Sequence, residues 1–87
     1  MDSKQLQVFL AVCGAGSFSK AALDLDVTQP LITRTIRGLE EELGVELFHR
    51  NGRGVVLSEA GTLLKAYGDE IIERMRLATN AVASLRA

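Results

Sequence analysis

Arginine side chains cluster in two short stretches of this 87-residue chain that contain no acidic residue. Arg34 and Arg37 lie within residues 28–37, and Arg50 and Arg53 lie within residues 49–57. Residues 38–48 between them carry four acids and no base, so the net charge of −1 hides two small positive surfaces. A guanidinium group can donate two hydrogen bonds to guanine O6 and N7 or clamp a phosphate. The two stretches therefore favour recognition of a nucleic acid.

Polar residues beside these arginines could add contacts to DNA. The amide of Gln29 can pair with N6 and N7 of adenine, and Thr33 can contact a thymine methyl group or a phosphate. Arg53 suits the minor groove, where negative potential is concentrated. Each interpretation has an ordinary alternative. Gln29 could face water, Arg53 could be solvated on a surface turn, and an arginine such as Arg37 could pair with an acid at i+4.

A helix predicted between Thr28 and Gly44 positions the first arginine pair. Thr28 can cap its free N–H groups, Pro30 fits the first turn, and Gly44 can supply the left-handed residue that ends it. At about 100° per residue, the helix has an apolar face and a polar face. The predicted buried face consists of Ile32, Ile36, Leu39 and Leu43. The opposite face carries Pro30, Arg34 and Arg37, flanked by Gln29 and Thr33.

Two shorter helices are predicted before it. The first has Ser3 as a plausible cap, and its apolar residues Leu6, Phe9, Leu10 and Cys13 recur at helical spacing until Gly14 and Gly16 interrupt it. The second is capped by Ser17, and its inward face is predicted to carry Phe18, Ala21, Ala22 and Leu25. Because the second helix connects tightly to the helix that starts at Thr28, the pair is typical of a helix-turn-helix unit.

The second arginine pair belongs to a predicted β-hairpin. Short apolar runs end at Phe48 and begin again at Val55, and the turn between them contains Gly52, Arg53 and Gly54. Arg53 is predicted at the tip. A hairpin that follows a helix-turn-helix is a wing, although an isolated surface turn would give the same local pattern.

A long final helix is predicted from residue 59 to residue 87. One apolar stripe runs along it: Ala60, Leu64, Tyr67, Ile71, Met75, Ala78, Val82 and Leu85. At 1.5 Å per residue, a helix of this length spans roughly 43 Å, which exceeds what a three-helix winged domain can cover. We therefore expect the distal half to pack against a second copy, with packing on the chain's own body as the alternative.

Composition limits the remaining possibilities. With 47% hydrophobic and 24% charged residues the chain is globular, and its length fits one small domain. No apolar run approaches the roughly 20 residues that a membrane span needs. The N-terminus lacks the features of a signal peptide, and a single cysteine, Cys13, fits a reducing compartment. We expect a cytoplasmic protein, no membrane contact, and a buried, inert Cys13 thiol.

The residues give little support to an enzyme. His49 is the single histidine, with no second histidine or cysteine near it to suggest a metal site. The carboxylates of residues 40–42 point in different directions from consecutive helical positions and cannot form an acid–base pair. No metal, cofactor or catalytic residue is predicted. A winged helix that contacts only protein remains the main alternative to a DNA-binding module.

The chain resembles the N-terminal DNA-binding region of LysR-type transcriptional regulators from Leu6 to Gly61. The matching residues are Phe9, Val12, Gly16, Ser17, Phe18, Ala21, Ala22, Leu25, Thr28, Gln29, Pro30, Thr33, Arg34, Ile36, Leu39, Glu40, Leu43, Gly44, Leu47, Phe48, Arg50, Arg53, Gly54, Leu57, Ser58, Ala60 and Gly61. Each fragment alone is weak, but their order and spacing together are specific. In two places the chain departs from the family's usual pattern: Gly38 replaces a long polar or basic residue, and Asp24 and Asp26 stand near the turn.

The resemblance implies a mainly α fold: a winged helix-turn-helix over residues 1–58 and a dimerisation helix over residues 59–87. It implies that Gln29, Pro30, Thr33 and Arg34 meet the major groove and that Arg53 enters the adjacent minor groove. It also implies a homodimer through the linker helices, often within a tetramer, and an interrupted inverted-repeat operator. Members of the family normally carry an effector-binding domain, which is absent from this chain.

The residue types and the resemblance together predict seven DNA-binding residues: Gln29, Pro30, Thr33, Arg34, Arg37, Arg50 and Arg53. The predicted dimerisation set is Leu64, Tyr67, Ile71, Met75, Ala78, Val82 and Leu85.

Overall fold

A computed structural model describes residues 1–86 as four helices and one β-hairpin. The elements in order are α1 (Ser3–Ala15), α2 (Phe18–Leu25), α3 (Gln29–Leu43), β1 (Phe48–Asn51), β2 (Gly54–Leu57) and α4 (Glu59–Ala83). The two strands pair antiparallel, with Phe48 opposite Leu57 and Asn51 opposite Gly54. The predicted winged helix-turn-helix with a long C-terminal helix is therefore confirmed.

Side-chain caps set the helix starts. The hydroxyls of Ser17, Thr28 and Ser58 accept hydrogen bonds from the first turns of α2, α3 and α4. The prediction that Ser3 caps α1 was wrong, because Asp2 does so. Its carboxylate accepts from the Gln5 N–H at 2.8 Å, while the Gln5 side chain accepts from the Asp2 N–H at 3.0 Å. This reciprocal pair satisfies two N–H groups at once and moves the cap one residue upstream.

The core lies where α1, α2 and α3 meet the base of the hairpin. Its fully buried large residues are Leu6, Phe9, Val12, Ile32, Ile36, Leu39 and Leu47. Two of the predicted inward positions are exposed instead: Leu25 is 40% exposed and Leu43 is 41% exposed. Both stand in the last turn of their helices, directly before a left-handed residue, so the helix face has already passed the edge of the core.

Helix α4 begins against the hairpin. The Ser58 N–H donates to the Leu47 carbonyl at 2.9 Å, and its hydroxyl donates to the Glu46 carbonyl at 2.6 Å. A Cβ on Gly61 would lie 2.1 Å from the Leu47 oxygen, so only glycine allows this approach. Gly68, one turn beyond Leu64, packs against Leu6 and Leu10 of α1. The start of α4 is thus part of the same packed body as the wing.

The far part of α4 extends away from that body. The molecule measures 53 × 26 × 19 Å, and Ile72 is the last residue of α4 that packs on the core cluster. The helix ends at Ala83, not at the predicted residue 87, and Ala87 itself lies outside the described residues. Among residues 1–86 no single helix is long and apolar enough to cross a membrane, although α1 and α2 together, bent by 118°, reach those limits.

Candidate nucleic-acid interface

The N-terminal half of α3 presents a polar surface that faces away from the core. Gln29, Pro30, Thr33 and Arg34 line one shallow depression on it. Three of them are exposed and Thr33 is partly buried. They lie together because Ile32 and Ile36, completely buried on the other side, fix the rotation of the helix. The arrangement predicted for this face is the one observed.

Arg37 continues this surface toward the hairpin. It is exposed and lines a cavity of about 370 Å³ between α3 and β1, together with Arg50, His49, Glu40 and Glu46. The Glu40 carboxylate is already engaged, since it accepts a hydrogen bond of 2.7 Å from the Leu47 N–H. The His49 Nδ1 atom lies 3.7 Å from a Glu46 carboxylate oxygen. The nearest acids of this cavity thus have other partners, and Arg37 lies exposed at its edge.

Arg50 links the wing to α2 and α3. Its guanidinium carbon lies 4.5 Å from the centre of the Phe18 ring. It also lines a depression that is bounded by the cap residue Ser17, Ser19 of α2, Gln29 of α3 and Asn51 of β1. One continuous surface thus joins the starts of two helices and one strand.

Arg53 stands at the tip of the wing, in the turn between β1 and β2. Its N–H donates to the Asn51 side-chain oxygen at 2.8 Å, which shapes the turn locally. The start of β2 is fixed separately, because the Val55 N–H donates to the Gly16 carbonyl at 3.1 Å. Arg53 therefore projects into solvent from an anchored hairpin.

The arginines of this surface differ from those of α4 in their partners. Within residues 1–86, no carboxylate oxygen lies within 4.0 Å of the side chains of Arg34, Arg37, Arg50 or Arg53. The alternative pair between Arg37 and Glu41 is not formed. On α4, by contrast, the Arg76 guanidinium donates to Glu73 at 2.6 Å, which raises the pKa of Arg76 and lowers that of Glu73. The four unpaired guanidinium groups remain free to meet an anionic ligand.

Sequence reasoning missed part of this surface. Ser17, Phe18, Ser19 and Asn51 line it. Ser17 was predicted only as a cap and Phe18 only as a core residue, and neither Ser19 nor Asn51 was predicted to contact DNA. For Ser17 and Ser19 the available signal was a polar side chain beside a helix start, which is common and unspecific. Their proximity to Arg50 depends on how the hairpin folds back onto α2.

A second candidate surface runs along α4. Tyr67 is 59% exposed and Val82 is 70% exposed. Ile71, Met75 and Ala78 are exposed between them, whereas Leu64 packs partly against the core. Leu85, the last residue of the predicted stripe, is 84% exposed but lies beyond the end of α4 at Ala83. The core-facing side of α4 carries Gly61, Leu64, Gly68 and Ile72. The predicted stripe is therefore a separate face that lies beside the core-facing one.

Other reactive groups do not assemble into a site. Among residues 1–86, no group of three or more His, Cys, Asp or Glu residues could hold a metal ion. Cys13 is half-buried, and burial raises the pKa of its thiol to about 11. The thiol is therefore protonated near neutral pH and is a weak nucleophile.

The chain is similar to known regulators in sequence and in structure. Residues 3–62 match the model of the bacterial regulatory helix-turn-helix proteins of the lysR family. The HTH-type transcriptional regulator SoxR of Arthrobacter sp. (strain TE1826) is 49% identical over 72 residues, which cover 83% of this chain and 25% of that protein.

Two solved structures share the fold over nearly the whole chain. The DNA-binding domain of BenM in complex with benA site 1 DNA has a TM-score of 0.94 and 31% identity, covering 99% of this chain and all of that one. The DNA-binding domain of CbnR in complex with DNA has a TM-score of 0.88 and 39% identity over the same shares. The chain spans about a quarter of the length of the curated relatives that it matches.

Proposed function

Because this chain belongs to the lysR family of bacterial regulatory helix-turn-helix proteins, we propose that it is the sequence-specific, double-stranded DNA-binding region of a longer transcriptional regulator. In this proposal α3 enters the major groove and the wing enters the adjacent minor groove. The side chains that meet DNA are Gln29, Pro30, Thr33, Arg34, Arg37, Arg50 and Arg53. No catalytic step is part of the proposed function.

One observation carries this proposal. Arg34, Arg37 and Arg50 line adjoining depressions, and Arg53 stands in the turn of the wing. All four side chains are exposed and have no carboxylate partner within residues 1–86. Unpaired guanidinium groups gain most from phosphates and from guanine edges. The similarity to DNA-binding domains that were solved with DNA supports the same assignment.

A salt titration tests the proposal. Binding to a labelled duplex is measured by fluorescence anisotropy at several salt concentrations. A DNA-binding module should lose affinity with a slope of about −0.9 in log K against log salt for each phosphate contacted. Affinity that does not change with salt would overturn the proposal and would favour the alternative, a winged helix that contacts only protein.

We further propose that the chain forms a homodimer through α4. The face concerned consists of Tyr67, Ile71, Met75, Ala78, Val82 and Leu85, with a smaller share from Leu64 because that residue already packs on the core. Each large side chain that leaves water on association contributes on the order of 1.5–3 kcal/mol. Two antiparallel helices would bury both faces around a two-fold axis.

The dimer would determine the form of the binding site. A two-fold axis sets two recognition helices at a fixed separation, so the expected operator is an inverted repeat. In the whole regulator we propose a tetramer and an effector-binding domain beyond this chain. A cytoplasmic location follows from the proposed contact with operator DNA. Footprinting of the whole regulator on the DNA upstream of its own gene would identify the site.

A further inference from the structure

Phe18 and Arg50 form a stacked pair between α2 and the wing. The Arg50 guanidinium carbon lies 4.5 Å from the Phe18 ring centroid, within the range of a cation–π contact. Phe18 is the first residue of α2 and is 7% exposed. It therefore belongs to the core, yet one face of its ring meets a charged side chain at the surface.

We infer that Phe18 is a positioning residue for DNA binding, which holds Arg50 in a pose that is ready to clamp a DNA phosphate. This inference rests on the proposed function. Phe18 itself need not touch DNA, since it acts through the guanidinium group that it orients.

A second aromatic contact holds the Phe18 ring in place. Phe48 meets it edge-on at a centroid distance of 6.0 Å and an angle of 80°, and Phe48 packs in turn on Phe9 at 5.2 Å. Phe48 and Arg50 stand two residues apart on β1, so they project from the same face of the strand. A single ring therefore contacts a core residue and a surface arginine of the same strand.

The position of Arg50 fits a phosphate clamp. It lines the depression that also contains Ser17, Ser19 and Gln29, so its guanidinium lies beside the start of the recognition helix. No carboxylate oxygen within residues 1–86 lies within 4.0 Å of it to compete for the charge.

The stack would lower the entropic cost of binding. A free arginine side chain loses rotamer freedom when it is immobilised by a ligand. Stacking on Phe18 already restricts the side chain before DNA binds, so less rotamer entropy is lost on binding. Because the guanidinium stacks through its planar face, the N–H groups at its edge stay available for hydrogen bonds. Lysine has the same charge but no planar group to stack in this way.

A double-mutant cycle with Phe18→Leu and Arg50→Lys tests the inference. Affinity for a mixed-sequence DNA duplex is suitable, because phosphate contacts do not depend on sequence. In the wild-type background, Arg50→Lys should weaken binding by about threefold to thirtyfold. In the Phe18→Leu background, the same change should cost less than about twofold, because the stack is already lost.

Phe9→Leu is the matched control. Phe9 also packs against Phe48, but Arg50 stacks on Phe18 and not on Phe9. Arg50→Lys should therefore cost as much in the Phe9→Leu background as in the wild type, even if both leucine variants melt earlier. Equal losses in the Phe18→Leu and wild-type backgrounds would overturn the inference.

A second measurement needs no variant that could fail to fold. In the free wild-type protein, NMR relaxation of the arginine Nε–H groups should give Arg50 a higher order parameter than Arg34 and Arg53. An Arg50 side chain as mobile as Arg53 would contradict the positioning role. A wild type without salt-dependent DNA binding would instead overturn the proposed function, on which this inference depends.

Discussion

The backbone N–H of Val55 in the wing donates to the carbonyl oxygen of Gly16 at 3.1 Å. This bond ties β2 to the turn that precedes α2, so the hairpin is held against the helix-turn-helix. It depends on Gly54, whose φ is +144° and where a Cβ would lie 2.4 Å from the same Gly16 oxygen.

Gly54→Ala should therefore displace the wing. We expect a loss of about 1–3 kcal/mol in the free energy of unfolding, from backbone strain and the broken contact. DNA affinity should fall as well, because Arg50 and Arg53 move with the hairpin. Thermal unfolding and anisotropy titrations would measure both. Gly52→Ala is the control, since a Cβ there has nothing within 4 Å. Equal effects of the two variants would contradict the prediction.

Gly38→Ala should stabilise the protein. Gly38 lies inside α3, and a Cβ there has nothing within 4 Å. Replacing a helical glycine with alanine should raise the free energy of unfolding by about 0.5–1 kcal/mol. Gly68→Ala, also inside a helix, should bring no such gain because its Cβ would lie 2.9 Å from Leu6. Urea unfolding at one fixed protein concentration compares the two variants, and a destabilised Gly38→Ala protein would refute the argument.

Arg34→Ala should weaken operator binding by about 1–3 kcal/mol and leave the fold unchanged. The side chain is exposed beside Gln29 and Thr33 and has no role in the core. Arg76→Ala is a charge-matched control, because Arg76 lies on α4 and pairs with Glu73. Circular dichroism and anisotropy would be measured on both proteins. Equal operator affinity for the wild type and Arg34→Ala would rule out a DNA contact by this residue.

Arg53→Ala should alter the preference for flanking sequence. Narrow A·T-rich minor grooves attract arginine most strongly, so loss of the wing-tip arginine should weaken binding and reduce the preference for A·T-rich flanks. Arg50→Ala serves for comparison, since a phosphate contact should be lost equally on A·T-rich and G·C-rich flanks. An Arg53→Ala protein that keeps the wild-type preference would show that the tip does not read the groove.

Ile71→Glu combined with Val82→Glu should abolish the proposed dimer. Both side chains lie on the exposed face of α4, Ile71 at 40% and Val82 at 70% exposure. Sedimentation at tens of micromolar, a concentration that spans ordinary interface affinities, should show a dimer for the wild type and a monomer for the variant. Leu77→Glu is the control, because Leu77 is 43% exposed but lies about 100° around the helix from this face. A double variant that still sediments as a dimer would refute the interface.

Local signals predicted much of the fold. The bounds of α3 follow from the cap at Thr28 and the left-handed Gly44, both of which act within one helical turn. The hairpin follows from the turn around Arg53. The errors at Leu25 and Leu43 have a different origin, since helical periodicity cannot tell where the core ends along a helix. That boundary depends on how neighbouring helices cross.

The candidate site could be predicted only in part. The polar face of α3 is a property of one helix, so helical spacing alone predicted that Gln29, Thr33 and Arg34 lie together on its surface. The stack of Arg50 on Phe18 joins two residues that are far apart in the chain, and no local pattern links them. The same is true of Gly61 and Gly68. Glycine is needed at these positions because the Leu47 carbonyl approaches Gly61 and the Leu6 side chain approaches Gly68.

Helix α4 runs without a break from the wing to its exposed end, and its first turns are locked to the Leu47 carbonyl at Ser58 and Gly61. The core-facing side of α4 and its proposed dimerisation face are therefore held at a fixed angle to each other about the helix axis, because each residue advances the helix by about 100°. Adding or deleting one residue after Ile72 would turn Met75, Ala78 and Val82 through that angle relative to Tyr67 and Ile71, while leaving the core contacts intact. In the proposed dimer, the number of residues in α4, as much as their type, would thus determine the direction in which the two proposed DNA-binding surfaces point.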